Sequence, residues 1–234
     1  MNEKIEKLGK YSVFCSDIHK FGTDAVLLAD FANPKPTDNM CEFGCGCGII
    51  TTLCCQKKEK LKVTAVDIQP DAIELTKKGV NFNGISSRVT PICADLKQLP
   101  SEMNGQFSLV VMNPPYKKMG AGLLSGESGV DIARFEVECN IHEICASAAR
   151  LLKFHGRFCI CYRPERLADA ICAMKNVGIT PKWLRTVSQN KHSKITLVLI
   201  EGTLSGGDGM VVEPPLFIDD EHHRLFADYF KENN

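Results

Sequence analysis

The residues Asn113-Pro114-Pro115-Tyr116 combine groups that could hold a planar amino group. An Asn side-chain oxygen and a rigid backbone carbonyl both accept hydrogen bonds and suit an –NH2 donor. Each proline fixes its own φ and removes a backbone donor, so the pair makes a stiff bracket. Tyr116 adds a flat ring that could stack on a planar group. Taken alone, these four residues favour an ordinary turn after a strand.

The elements on either side of this bracket place it at the end of a strand. The apolar run 107–112 predicts a buried parallel strand directly before Asn113. A glycine-rich stretch from Met119 to Gly129 follows and predicts a loop. In open α/β sheets, ligands bind outside the carboxyl ends of the strands. The sequence therefore predicts that Asn113 faces a ligand site.

A glycine loop lies upstream, where residues 42–48 read Glu-Phe-Gly-Cys-Gly-Cys-Gly between a short strand and a helix start. Glycines allow tight turns and a close approach of the backbone to a ligand. A plain tight turn is the alternative interpretation. The spacing differs from the dinucleotide pattern G-x-G-x-x-G, which argues against a nicotinamide dehydrogenase.

Two acids also follow predicted strands. Asp67 ends the strand predicted at 61–66, and Asp95 follows the one predicted at 89–94. An acid at the end of the second strand commonly binds ribose hydroxyls in such sheets. An acid in the first turn of the next helix would explain Asp67 equally well.

The remaining pattern alternates strands and helices and predicts an α/β fold. Gly22 or Thr23 would cap a first helix, and the last two core strands form an antiparallel pair. The expected organisation is an N-terminal segment with a capping helix, 1–36, packed on a main domain, 37–234. Further predicted elements are the strands 11–15, 157–162, 181–187 and 195–200, and the helices 70–83, 141–152, 164–177 and 222–230.

Composition excludes several classes of protein. The 234 residues are 44% hydrophobic and 24% charged with zero formal net charge, so no overall field indicates a nucleic-acid partner. The sequence shows no signal peptide and no membrane-spanning stretch, which predicts a cytoplasmic protein.

The 12 cysteines are expected to be reduced thiols. Cys139, His142 and Cys145 share a helix face but have no fourth ligand nearby, so we expect no metal.

The glycine loop, the acids and the bracket occur in one order at consecutive strand ends, and this arrangement resembles the class I S-adenosylmethionine-dependent methyltransferases. The resemblance implies a Rossmann-like, seven-stranded, mostly parallel sheet with a closing antiparallel strand and helices on both faces. Within that class the chain is similar to the tRNA1(Val) adenine-N6 methyltransferase family. That similarity rests on the bracket and on three segments, His19–Leu28, Ala133–Glu136 and Tyr162–Leu167.

The family resemblance implies roles for individual residues. Asp67 would bind the ribose hydroxyls and Asp95 the adenine amino group, while Gly22 and Thr23 would close over the methionine end. Asn113 and Pro114 would grip the acceptor amino group, and Tyr116 would stack on the target base. The expected cofactor-binding residues are Gly22, Thr23, Glu42, Gly44, Gly46, Gly48, Asp67, Ile68, Asp95 and Asn113.

The expected acceptor is the 6-amino group of an adenine in the anticodon loop of tRNA, bound by a monomer. A local basic rim would hold phosphates while one loop base enters the pocket. Without the resemblance, the basic residues of this rim are interpreted as scattered solvated charges. The expected substrate-binding residues are Pro115, Tyr116, Lys117, Lys118, Arg134, Arg163, Lys191 and Lys194.

Three other functions fit parts of the pattern. Protein-glutamine methyltransferases share the Asn-Pro-Pro-Tyr bracket, but they carry a helical domain before the glycine loop, where this chain has about 40 residues. Guanine-N2 methyltransferases of RNA use similar brackets. An RNA-binding module could keep the fold without turnover, although the intact bracket and acids argue against it.

Overall fold

The computed structural model describes residues 3–114 and 140–220. Seven longer strands form one sheet in the order β5-β4-β3-β6-β7-β9-β8, with β9 antiparallel to both of its neighbours. This confirms the expected fold class. The strands are β1 Lys4–Leu8, β2 Tyr11–Cys15, β3 Asn39–Phe43, β4 Lys62–Asp67, β5 Val89–Cys93, β6 Phe107–Met112, β7 Leu152–Tyr162, β8 Ile179–Ser188, β9 Ile195–Leu204, β10 Val211–Val212 and β11 Leu216–Phe217.

Helices cover both faces of the sheet because side chains alternate along each strand. The core on one face joins residues of α1, α2 and α3, and the core on the other joins residues of α4 and α5. On β6, Leu109 and Val111 belong to the first core and Val110 and Met112 to the second. The helices are α1 Thr23–Ala32, α2 Ile49–Lys57, α3 Pro70–Phe82, α4 Ile141–Leu151 and α5 Leu167–Asn176.

The N-terminal residues form a hairpin of β1 and β2. The sequence predicted β2 but not β1, because four of the five β1 residues are exposed and show no apolar alternation. The amide of Asn83 at the end of α3 pairs with both backbone groups of Ser12, at 2.9 and 2.7 Å. Leu8 and Val13 lie in the same core as α1 and α2. The hairpin and α1 thus share a core with the residues that follow, and the domain boundary at residue 36 stays a prediction.

The strand after α4 begins earlier than predicted. β7 starts at Leu152, directly after the helix, whereas the sequence indicated a stop near His155 and Gly156. The register against β6 jumps from Phe107↔Leu152 to Leu109↔Arg157. His155 takes a left-handed φ of 58° within this bulge. Residues that favour a helix stop therefore form a bulge inside a strand.

The C-terminal third also differs in detail from the prediction. The helix predicted at 164–177 begins as a 3-10 turn, Pro164–Arg166, and α5 proper starts at Leu167. Two short strands that the sequence did not indicate, β10 and β11, pair with β8. The helix predicted at 222–230 lies outside the described residues.

Candidate functional site

The strand order brings the predicted site residues to one edge of the sheet. The strands that precede Asp95, Asp67, the glycine loop and Asn113 are β5, β4, β3 and β6, which are consecutive and parallel. Their carboxyl ends therefore lie side by side. The site extends along this edge to Arg163 after β7 and to the turn between β8 and β9, because β8 runs in the same direction as β7.

The glycine loop needs its glycines for two reasons. Gly44, Gly46 and Gly48 have φ of +64°, +54° and +75°, which side-chain-bearing residues rarely adopt. A Cβ added at Gly48 would also lie 3.0 Å from Thr76 Oγ1, so the loop packs tightly on α3 there. At Gly46 an added Cβ would meet nothing within 4 Å. The Cα of Gly46 therefore borders open space.

Glu42 lies beneath the loop and is only 1% exposed. Its Oε2 accepts hydrogen bonds from the Thr51 backbone N–H, at 2.9 Å, and from the Thr51 hydroxyl. Burial raises the pKa of Glu42 from an ordinary value of 4.5 to about 8, against the lowering effect of the two bonds from Thr51. Glu42 thus fixes the first turn of α2 to the end of β3. Its predicted contact with a cofactor stays a prediction.

The raised pKa of Glu42 makes the stability of the fold depend on pH. Between about pH 5 and 8, native Glu42 keeps a proton that the unfolded chain releases, so the free energy of unfolding falls as pH rises. Glu42→Gln keeps an acceptor for Thr51 but does not titrate. We measure the free energy of unfolding of both proteins with urea. We expect the value for the variant minus the value for the wild type to rise by about 2–4 kcal/mol between pH 5 and 9. Parallel curves for the two proteins would contradict this, and Glu59→Gln, at an exposed site, is the control.

Asp67 is 6% exposed and connects β4 to the glycine loop. Its Oδ2 accepts from Gly46 N at 2.8 Å, and its Oδ1 accepts from Gln69 N at 2.9 Å. Burial raises the pKa of Asp67, while these bonds and the nearby His19 lower it. His19 Nε2 in turn lies 3.0 Å from Asp71 Oδ2. The carboxylate is therefore positioned by the loop, with lone pairs left for further donors.

Two other predicted cofactor-binding residues, Ile68 and Asp95, follow β4 and β5 at the same edge. Ile68 is 44% exposed and presents an apolar surface at the same edge. Asp95 caps a 3-10 turn by accepting from Lys97 N at 2.9 Å, and its second oxygen lies 3.9 Å from Lys97 Nζ. Asp95 therefore has a local structural partner as well as a place in the row of strand ends.

The first turn of α1 reaches the bracket. Gly22 is the N-cap of α1 and Thr23 its first residue, as predicted, although no side chain caps the helix. The next residue, Asp24, accepts a hydrogen bond from Asn113 Nδ2 through its Oδ2 at 3.2 Å. The structure thus joins the N-terminal segment to the bracket.

Asn113 and Pro114 lie where the sequence predicted, directly after β6. Asn113 Oδ1 also accepts from Cys161 Sγ, near the end of β7, at 2.7 Å. The remaining predicted residues of the bracket and the loop after it, Pro115, Tyr116, Lys117, Lys118 and Arg134, lie outside the described residues.

The basic residues described at this edge differ in their surroundings. Arg163 donates to Thr196 O at 3.1 Å and lies 3.5 Å from Glu165 Oε1. Lys191 and Lys194 are exposed in the turn between β8 and β9. The two lysines are therefore accessible, whereas Arg163 is held by neighbouring groups.

Asp24 and Cys161 are site residues that sequence reasoning did not identify. An acid in the first turn of a helix is common for reasons of helix polarity, so Asp24 carried no special signal. Cys161 alternates with Cys159 on a strand, which is typical of a small core residue.

Candidate metal sites and membrane-spanning helices are both absent from residues 3–114 and 140–220. No group of three or more His, Cys, Asp or Glu side chains there could hold a metal ion. No helix in these ranges is both long and apolar enough to span a membrane. The cysteines in these ranges are free thiols, and only Cys93 and Cys172 are exposed. Burial raises the pKa of the Cys45 thiol well above its ordinary range, which disfavours its thiolate form.

Comparison with known proteins adds a family and a fold. The family model described as "Methyltransferase small domain" matches residues 5–177. A relative from Flavobacteriaceae bacterium (strain 3519-10), named tRNA1(Val) (adenine(37)-N6)-methyltransferase, is 27% identical over 144 residues, which span 62% of this chain and 59% of that protein. A relative of the same name from Cronobacter sakazakii is 25% identical over 210 residues, 87% of this chain and 83% of that protein.

Two solved structures are similar in fold. A predicted O-methyltransferase from Agrobacterium tumefaciens superposes with a TM-score of 0.66 at 18% identity, covering 84% of this chain and 88% of that one. Geranyl diphosphate C-methyltransferase from Streptomyces coelicolor, in complex with S-adenosyl-L-homocysteine, gives a TM-score of 0.57 at 13% identity, covering 78% and 77%. Both likenesses concern the fold alone.

Proposed function

Since the chain belongs to the methyltransferase small domain family, we propose that it transfers a methyl group from S-adenosyl-L-methionine to the N6 amino group of an adenine in tRNA. The observation that carries the proposal is the position of Asn113 directly after the central strand β6. Asp67 and the glycine loop lie on one side of it, and the exposed lysines of the β8–β9 turn on the other.

The loop and the end of β4 fit S-adenosyl-L-methionine. The open space at Gly46 admits a ligand against the backbone. Asp67 uses one acceptor site on each oxygen, for Gly46 N and for Gln69 N, and keeps others for the ribose hydroxyls. Ile68 offers its exposed apolar surface to the adenine ring. The bound cofactor supplies an activated methyl group on its sulfonium.

Asn113 and Pro114 act on the acceptor nitrogen. An aromatic amino group is a poor nucleophile because its lone pair is delocalised into the ring. Two acceptors, Asn113 Oδ1 and the Pro114 carbonyl, would hold its N–H bonds and favour a more pyramidal nitrogen. That nitrogen gains the methyl group and releases one proton to solvent. The chain therefore contributes positioning and electrostatics.

The class of acceptor is proposed from the relatives together with the basic edge. The relatives from Flavobacteriaceae and Cronobacter sakazakii carry adenine-N6 and tRNA in their names. The β8–β9 turn is two to three strands from Asn113, which is about 10–14 Å at the usual strand spacing. Lysines at that distance can contact phosphates near a base whose amino group lies at Asn113.

The test is to incubate the protein with labelled S-adenosyl-L-methionine and separate fractions of tRNA, rRNA and protein. We expect label in tRNA, and digestion with mass mapping should assign it to N6-methyladenosine in an anticodon loop. Label on a guanine or a protein glutamine would contradict the proposed acceptor. An absence of label in every fraction, with cofactor binding intact, would contradict the methyltransferase activity.

Lys191 and Lys194 are expected to contribute to tRNA binding and not to cofactor binding. Lys191→Glu combined with Lys194→Glu should weaken tRNA binding about tenfold and reduce the salt dependence of log K by about 1–2, as expected for losing one or two phosphate contacts. Cofactor affinity, measured by calorimetry, should stay unchanged. The measurement is filter binding of tRNA at several salt concentrations.

The matched control replaces two exposed lysines at the opposite edge of the sheet. Lys60 and Lys62 lie at the amino end of β4, far from the site. Changing both to Glu alters the net charge by the same amount as the first variant does. An equal loss of tRNA affinity in this control would contradict a local contact and indicate an effect of net charge.

A further inference from the structure

The contacts of Asn113 determine which way its amide points. Its Nδ2 donates to Asp24 Oδ2, and its Oδ1 accepts from Cys161 Sγ. A carboxylate can only accept hydrogen bonds, so the amide nitrogen must face α1. A thiol is a weak donor and imposes little by itself. Among the described residues, Asp24 therefore constrains the orientation of the amide.

Gly22 supports this interpretation independently. Its φ of −114° and ψ of 176° are extended backbone that any residue can adopt, so its conformation does not require glycine. A Cβ at that position would, however, lie 2.5 Å from Asp24 Oδ1. Gly22 thus leaves the space that the Asp24 carboxylate occupies when it contacts Asn113.

We propose that Asp24 is a positioning residue that holds Asn113 Oδ1, and not its amide nitrogen, in place to accept from the substrate amino group. The inference rests on the proposed function, in which Oδ1 is one of the two acceptors. The two ends of an amide have nearly the same shape, so a rotation of 180° about χ2 would fit the same space. The rotated amide would direct N–H groups at the substrate N–H groups and abolish the grip.

The test is an exchange of the two side chains. In Asp24→Asn the amide of Asn113 loses its fixed orientation, and in Asn113→Asp two carboxylates face each other. We expect each single variant to lower kcat about 10- to 100-fold, within the range for losing one preorganised contact. In the double variant, Asn at 24 donates to Asp at 113, which offers an acceptor in either orientation. Its kcat should exceed that of either single variant at least about tenfold, with the KM for S-adenosyl-L-methionine within about threefold of wild type.

The controls separate this role from a structural one. Asp30→Asn makes the same change in the last turn of α1, where Asp30 pairs with Lys57 at 2.7 Å, and should leave kcat unchanged. If Asp24 only stabilised α1, a change at Asn113 would not restore the rate, and an unrecovered double variant that binds cofactor and unfolds cooperatively would overturn the proposal. So would a single Asp24→Asn variant with wild-type kcat. The assay uses whichever acceptor the wild type labels, so an acceptor other than adenine contradicts the proposed function without affecting this test.

Discussion

Replacing Asn113 with alanine is expected to lower methyl transfer about 100-fold or more while cofactor affinity stays within about threefold of wild type. The substitution removes the Oδ1 acceptor at the end of the central strand, together with its bonds to Asp24 and Cys161. It leaves the loop bonds of Asp67 unchanged, because those involve Gly46 and Gln69. Single-turnover transfer from labelled cofactor measures the rate, and calorimetric titration measures the affinity.

The matched control for this experiment is Asn83→Ala. The Asn83 amide also donates and accepts, at Ser12, but it lies at the far end of α3 from the site. Its loss should lower the unfolding free energy by about 1–3 kcal/mol and leave transfer intact. Transfer near the wild-type rate in Asn113→Ala would mean that Asn113 is only a turn residue.

The positions of Asp67 and Asn113 could be predicted from the sequence because their signals are local. Each ends or directly follows a predicted strand, and the ends of parallel strands necessarily meet at one edge. The glycine spacing was also informative, since Gly44, Gly46 and Gly48 all take positive φ. Backbone requirements of this kind are written in a few adjacent residues, so no knowledge of the distant chain is needed.

The side-chain partners of the site could not be predicted, because they depend on contacts across the chain. Asp24 and Asn113 are 89 residues apart, and His19 and Asp71 are 52 apart. Glu42 was predicted to bind the cofactor, but its bonds to Thr51, near the start of α2, could not be read from local spacing. Local spacing does not encode which residue of one element faces which residue of another.

Replacing Asp67 with alanine is expected to weaken S-adenosyl-L-methionine binding by about 1–3 kcal/mol, which is about 5- to 150-fold in Kd. The carboxylate would lose its charge-assisted bonds to the ribose hydroxyls. It would also lose its bonds to Gly46 N and Gln69 N, so some of the effect could come from a loosened loop. Calorimetry of the folded variant measures the total, and unchanged affinity would sink the assignment.

A change in the ligand separates the ribose contact from the loop. An S-adenosyl-L-homocysteine analogue without the ribose 2′-hydroxyl should bind the wild type about tenfold more weakly than the parent ligand, because a buried acceptor loses its donor. Asp67→Ala should bind the two ligands equally, since the group that distinguishes them is gone. If Asp67 served only the loop, the variant would bind both ligands more weakly and discriminate between them as the wild type does. The coupling between Asp67 and the 2′-hydroxyl, measured from the four Kd values, therefore tests the ribose contact itself.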